Sequence, residues 1–198
     1  MKFIFWFIVI LLVATFSFYF VFNHYHENPP ANNSINYCLK YLNASSTDWQ
    51  ILILSTYQDT DVSGDSVWKE FSDLNEWSSW ANPLVISAEW VKGNDWLAGN
   101  TFKQKLNLGF PLGEKEFEDT ISDVKKKEKV VSTFDSQNIK SCHIWNFELM
   151  ADKRTRITDT EIFYGRDIGV SKPFVAGTWQ KMFEDSLDGL IQRAINNN

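Results

Sequence analysis

The sequence predicts an α+β domain: an antiparallel sheet of about six or seven strands packed against one long C-terminal helix, with an apolar segment ahead of it. Three observations lead there. Strand-like runs bounded by turn residues follow one another between Trp49 and Tyr164. Several of them alternate apolar and polar residues, as in an antiparallel sheet with one covered and one wet face. Beyond them, Val175, Trp179, Met182, Phe183, Leu187, Leu190, Ile191 and Ala194 fall at helical spacing, while Lys172, Lys181, Glu184, Asp185, Asp188 and Arg193 fall elsewhere. One sheet cannot bury its inner face alone, so the helix is expected to lie against it.

The chain opens on an apolar stretch, Phe3 to Phe22, broken only by Thr15, Ser17 and Tyr19 and free of charge. About twenty helical residues span roughly 30 Å, the hydrocarbon thickness of a bilayer. The stretch ends in Phe18, Tyr19, Phe20 and Phe22, not in the small residues of a signal-peptidase site, so an uncleaved transmembrane anchor is favoured over a cleaved signal. Lys2 lies on its N-terminal side, and the other flank has no Lys or Arg before Lys40. The positive-inside bias therefore puts the C-terminal domain on the non-cytoplasmic side. Residues 1–23 are read as the anchor, 24–47 as a polar linker and 48–198 as the domain. Pro29-Pro30 favours an extended spacer, and Tyr37 to Leu42 are expected to form a short turn docked on the domain. His24 and His26 are read as a polar flank in preference to a metal pair.

Within the domain, Trp49 to Tyr57 is a continuous apolar run and a first strand. Asp59 to Asp65 is a turn whose Ser63 or Asp65 could cap a helix. Val67, Trp68, Phe71 and Leu74 then mark one face of a short helix over Ser66 to Leu74, and Glu76 to Trp80 adds a second that Asn82-Pro83 ends. Leu84, Ile86, Ala88 and Trp90 alternate along the next strand, and Phe102, Leu106 and Leu108 along the one after the loop Gly93 to Gly99. Gly109 to Gly113 is a turn. Glu116 to Val124 and Lys129 to Phe134 flank Lys125-Lys126-Lys127 as a hairpin. Ile139 to Met150 puts His143, Trp145, Phe147 and Leu149 on one face, and Arg154 to Tyr164 is rich in Thr and Ile. The closing helix is expected from Pro173 to Ile195, with Pro173 in its first turn and Ser171 as its cap.

Composition excludes several functions. The formal charge is −6 and the pI about 5.1, which argues against nucleic acid. The lysine run suits a solvated hairpin tip better than an anionic headgroup contact. Cys38 and Cys142 show no metal-ligand spacing; a disulfide between them is conceivable if the domain is exported, and would staple linker to domain. No nucleophile elbow, P-loop, HExxH or dinucleotide fingerprint occurs, and no cofactor or metal is expected. Aromatic content is 16%, enough for a bulky core or for an apolar cavity.

The order of elements, with Val67-Trp68, Asp73 and Trp77-Ser78-Ser79-Trp80 just after the first strand, resembles the START/Bet v 1-like (SRPBCC) superfamily, in its polyketide cyclase/dehydrase-like branch. Gly99 before Thr101-Phe102, Trp145-Asn146-Phe147 and the Thr-rich strand Thr155 to Gly165 fit the same pattern, and the resemblance spans roughly Trp49 to Asn196. It implies a helix-grip fold, a curved sheet around the C-terminal helix with a cavity between them. It also implies an apolar or amphipathic ligand, lipid-like or polyketide-like, with catalysis in a minority of members. One fold hosts many activities, so the fold carries over better than the function.

Candidate site residues follow from the faces. Trp90, Phe102, Leu106, Trp145, Phe147, Trp179, Met182 and Phe183 are expected to line the ligand cavity, unless they fill the core outright. Trp68, Trp77 and Trp80 are expected to plug the short helices onto the sheet. His143 could orient a ligand carbonyl or move a proton, although a core histidine bonded to backbone is the more usual outcome. Asp159 and Glu161 share a strand face with Ile157 and Phe163. Turned inward they would have raised pKa values and acid/base capacity. The reading preferred on sequence is that this face is the solvent side of an edge strand. The leading function is thus a membrane-anchored, non-catalytic binder of a hydrophobic small molecule. The alternatives are a cyclase- or hydrolase-type enzyme using His143 or Glu161, and an interaction module presenting its Trp-rich helical region.

Overall fold

A computed structural model describes residues 33–109 and 112–198, so the apolar stretch Phe3 to Phe22 lies outside the described residues. The elements are α1 (Asn33–Leu42), β1 (Ile51–Thr60), α2 (Gly64–Ser72), a 3-10 turn (Leu74–Glu76), α3 (Trp77–Trp80), β2 (Val85–Lys92), β3 (Thr101–Asn107), β4 (Glu114–Lys125), β5 (Lys129–Asp135), β6 (Lys140–Leu149), β7 (Thr155–Tyr164) and α4 (Arg166–Asn196). The strands form one antiparallel sheet in the order β1-β7-β6-β5-β4-β3-β2. The seven-stranded sheet and long C-terminal helix match the predicted class.

The core lies between the sheet's inner face and α4, α2 and α3. Leu52, Leu54, Phe102, Leu106, Ile121, Trp145, Phe147 and Ile157 from the sheet meet Ile168, Val175, Trp179, Phe183, Leu187 and Leu190 from α4. Phe71 of α2 is the hub of an aromatic cluster, with ring centroids 4.8 Å from Trp96, 5.4 Å from Trp77, 5.2 Å from Trp145 and 5.1 Å from Phe147. Ser63 caps α2 by accepting from the Ser66 amide at 3.1 Å.

Several expectations need correction. Alternation along β2 fails because its register against β3 shifts between Val85 and Ser87: Leu84 and Val85 are both buried while Ile86 faces out. Leu149, assigned to the inner face of β6, lies beyond the core at the strand end and is 75% exposed. β7 is interior, paired to both β1 and β6, because the first strand joins the sheet beside the last. Helix α4 starts at Arg166, about two turns before Pro173. Ile168 is buried there, and burial of that first turn outweighs the penalty of an internal proline. Ser171 is not a cap; its hydroxyl donates back to the Asp167 carbonyl at 2.7 Å. Gly165 makes the corner, with φ of 146° and the Asn138 carbonyl where a Cβ would stand. The lysine run is the β4–β5 tip, where Lys127 pairs with Asp65 of α2 at 2.8 Å, Lys129 with Asp123 at 2.6 Å, and Lys125 with Glu128.

The segment read as linker contains the helix α1. Ile35, Cys38, Leu39 and Leu42 recur at helical spacing and cover the outer sheet face over Ile51, Val131, Cys142, Ile144 and Ile162. The expected turn at Tyr37 to Leu42 is thus a full helix, and this part of the sheet is covered on both faces. Cys38 and Cys142 form a disulfide with Cα atoms 5.5 Å apart, closing a sequence separation of 104 residues. Replacing both cysteines by alanine should lower the unfolding free energy by about 3–5 kcal/mol in urea titration, given so long a loop. Protease cleavage ahead of β1 should also accelerate. Unaltered stability and cleavage would show that α1 is held by packing alone.

Candidate functional site

A row of buried polar side chains crosses the inner sheet face from β3 to β7. Gln104 of β3 donates to Asp119 of β4 at 2.9 Å, and Ser132 of β5 donates to the other oxygen of Asp119 at 3.4 Å. On β6 and β7, the His143 Nε2 lies 2.6 Å from Asp159 Oδ1, and its Nδ1 lies 3.9 Å from Glu161 Oε2. Pairing register produces this meeting: His143 stands directly opposite Glu161, and Trp145 opposite Asp159. Ser132 stands opposite His143 on the next strand. All six polar groups are buried.

The face of β7 carrying Ile157, Asp159, Glu161 and Phe163 therefore points inward, against the preferred sequence reading. β7 is an interior strand, and this face is covered by the packing of Ile157 and Phe163 with residues of α4. The outward residue Arg156 pairs with Asp59 on β1 at 2.7 Å. His143 is not a core histidine bonded to backbone; its partner is a carboxylate.

Burial sets the proton affinities. It works against the His143 cation, but Asp159, then Glu161, then Asp119 outweigh it and push the imidazole up to about 9. Burial pushes Glu161 up to about 7, with the His143 charge and the Ser141 hydroxyl holding it down. Burial likewise raises Asp119 and Asp159, against the His143 charge and the hydrogen bonds each accepts. The site thus holds a histidine whose proton affinity is raised, in contact with Asp159, beside a Glu161 carboxyl poised between its two states near neutral pH.

Above this row is a cavity of about 30 Å³, walled by Trp77, Trp80, Ala81, Leu84, Val85, Gln104, Leu106, His143, Trp145, Asp159, Glu161, Phe183 and Ser186. The volume suffices for roughly one or two waters, far below a ligand pocket of about 300 Å³ or more. Of the expected lining residues, Leu106, Trp145 and Phe183 reach this wall, as do His143, Asp159 and Glu161. Trp90, Phe102, Phe147, Trp179 and Met182 do not. Trp90 and Phe102 pack around Trp96, Phe147 packs on Trp68 and Phe71, and Trp179 packs on Phe163 and donates to the Leu108 carbonyl at 3.0 Å. Met182 is half-buried beside Gly109. Conversely, Trp77 and Trp80, expected only as plugs, form part of the wall. With Trp68 they are buried, so the Trp-rich region offers no exposed patch for a partner.

The polar wall holds two unspent donors. Trp77 donates its indole N–H to the Phe71 carbonyl at 2.7 Å and Trp96 to the Ser72 carbonyl at 3.0 Å. The indole N–H groups of Trp80 and Trp145 are buried and have no protein acceptor. Each such donor costs about 1–3 kcal/mol if left unpaired. Among the described residues, no group of three or more His, Cys, Asp or Glu is arranged to hold a metal ion. Sequence reasoning missed Gln104, Asp119, Ser132, Ser141, Ser186 and Trp96. For Gln104 a signal existed: it lies between Phe102 and Leu106 on an alternating strand, and so on their face.

The profile of the polyketide cyclase/dehydrase and lipid transport family matches residues 54–194. The chain belongs to this family. It stands accordingly in the START/Bet v 1-like (SRPBCC) superfamily. A hypothetical protein of Helicobacter pylori superposes with a TM-score of 0.60 at 14% identity, over 72% of this chain and 88% of that one. A START superfamily protein of Mycobacterium smegmatis gives 0.51 at 10% identity, over 71% and 92%. The major latex-like protein 151 of Panax ginseng gives 0.55 at 9%, over 73% and 95%. At such identities the likeness is one of fold. No curated protein matches the chain.

The pH dependence of stability tests the row. Glu161 keeps its proton up to about pH 7 against an ordinary 4.5, and His143 up to about 9 against 6.5. Between these limits the folded protein binds more protons than the unfolded chain, so stability should fall as pH rises from about 4.5 to about 9. Glu161→Gln fixes the neutral form. It should flatten the acid half of that slope and exceed the parent by about 3 kcal/mol near pH 8 in urea titrations. Parallel curves for the two proteins would refute the inward, protonated carboxyl.

Proposed function

We propose that this protein binds a hydrophobic or amphipathic small molecule between the sheet and α4, with the molecule's polar end at the His143–Asp159–Glu161 row. The observation that carries this reading is a buried, titrating polar row under an apolar wall, with two indole donors left unpaired. The family, described as polyketide cyclase/dehydrase and lipid transport, supports the ligand class. The small cavity requires the molecule to make its own room. Helix α3 is the element to move, since it is a single turn that supplies Trp77 and Trp80.

The chain is held at a membrane by Phe3 to Phe22, with the domain on the non-cytoplasmic side. The Lys2 asymmetry supports that orientation, and so does the Cys38–Cys142 bond, since disulfides persist in oxidising compartments. Among the described residues no helix is long and apolar enough to cross a membrane, so the anchor rests on the N-terminal segment alone. Protease added to intact cells should degrade the domain; protection would reverse the orientation.

Uptake is tested by native mass spectrometry of the full chain in detergent, offered a mixture of long-chain alkanes, ketones, alcohols, fatty acids and sterols. A bound mass is expected. Leu106→Trp, which fills the cavity, should reduce it at least tenfold while the fold persists by circular dichroism. No adduct with any compound would remove the binding reading.

A second reading, an acid/base enzyme, is favoured by the 2.6 Å His143–Asp159 contact beside a Glu161 poised near neutrality. It predicts that a ligand bound by the parent is recovered chemically altered, and from Glu161→Gln unaltered.

A further inference from the structure

We infer that the ligand's polar end is an uncharged oxygen acceptor, a ketone, ester carbonyl or hydroxyl, and not a carboxylate, phosphate or amine. This rests on the binding reading above and specifies the head group for the same cavity. Two independent observations point to it.

The first is the balance of donors and acceptors in the wall. Trp80 and Trp145 each present a buried indole N–H with no protein acceptor. Their rings meet edge-on, centroids 6.3 Å apart, and both residues line the cavity. An indole N–H donates and never accepts. The His143 Nδ1, 3.9 Å from the nearest Glu161 oxygen, is beyond hydrogen-bond length from it. Among the other donors of the wall, the Gln104 Nε2 is engaged with Asp119 and the Ser186 hydroxyl with the Met182 carbonyl at 2.8 Å, while one Asp159 oxygen is held by His143. What the two indoles lack is an acceptor.

The second is charge. One imidazole stands among three buried carboxyl groups, Asp119, Asp159 and Glu161, with no Lys or Arg in the cavity wall. Asp159 already occupies the Nε2 side of His143 at 2.6 Å. An anionic head would add a further negative charge to a site that has no cation to spare, at low dielectric. A cationic head would be drawn to Glu161 but would leave both indole donors unpaired. A neutral oxygen takes a donor without altering the charge count, and a hydroxyl can in addition donate to Glu161. Apolar flanks from Leu84, Val85, Leu106 and Phe183 suit the attached hydrocarbon.

The test uses the full chain in detergent and competition native mass spectrometry. The competitors are a long-chain methyl ketone, primary alcohol, carboxylate, primary amine and alkane of one chain length, near pH 8. The ketone and alcohol should bind about tenfold or more tightly than the other three. Trp80→Phe and Trp145→Phe keep an aromatic side chain but remove one N–H each, together with the ring that carries it. Each should lose about five- to tenfold in ketone affinity relative to alkane affinity, which reports the change in cavity shape alone. Equal binding of all five would mean that the indoles are served by water only; the head-group inference would fail while the binding reading stood. Tightest binding of the carboxylate or the amine would overturn it as well. Binding of none would bring down the binding reading, and this inference with it.

Discussion

Helix α4 can lie in the curve of the sheet only because the charges beneath it answer one another. An isolated carboxylate or imidazolium at that depth would carry a desolvation penalty larger than the stability of an ordinary domain. The protein meets this by pairing His143 with Asp159, by surrounding Asp119 with the Gln104 amide and Ser132 hydroxyl, and by holding Glu161 near its neutral form. Such an arrangement is weak evidence for stability, since apolar residues of the same shape commonly serve a core as well or better. A row of this kind spanning five neighbouring strands, beside a cavity under α3, is therefore read as serving a ligand.

The surroundings keep that row in place. Strand β6 carries His143 and Trp145 on its inner face and Cys142 and Ile144 on its outer face, and both faces are covered. Helix α1 supplies the outer cover and is tied to β6 by the disulfide. On the inner side, α3 approaches α4 so closely that a Cβ at Gly189 would meet the Trp80 carbonyl. Arg193 then links α4 to Glu70, Glu76 and Ser79 at 2.6–2.8 Å. The cavity wall from α3 is thus seated on α4 through one glycine and one arginine.

The aromatic residues serve two overlapping tasks. One group fills the space around Phe71, where Trp68, Trp77, Trp96, Trp145 and Phe147 interlock. Only Trp77, Trp80, Trp145 and Phe183 face the void. Aromatic packing of this kind keeps the cavity under α3 small, so its polar wall, more than its volume, distinguishes the site.

The architecture was legible in the chain because periodicity depends on local geometry. Alternation marked the strands, the spacing of Val175 to Ala194 marked α4, and Val67, Trp68 and Phe71 marked α2. The same geometry put His143 with Trp145 and Phe147, and Asp159 with Glu161, on shared faces. Which way those faces point depends on strand order, which is a long-range property. Joining β1 beside β7 turned an apparent edge strand into an interior one and drove two carboxylates into the core. The meeting of Asp119, His143 and Glu161 across three strands, the closing of Cys38 on Cys142, and the unpaired indoles of Trp80 and Trp145 were likewise decided by tertiary structure alone. Each joins residues far apart in sequence, and no local pattern encodes the register that brings them together.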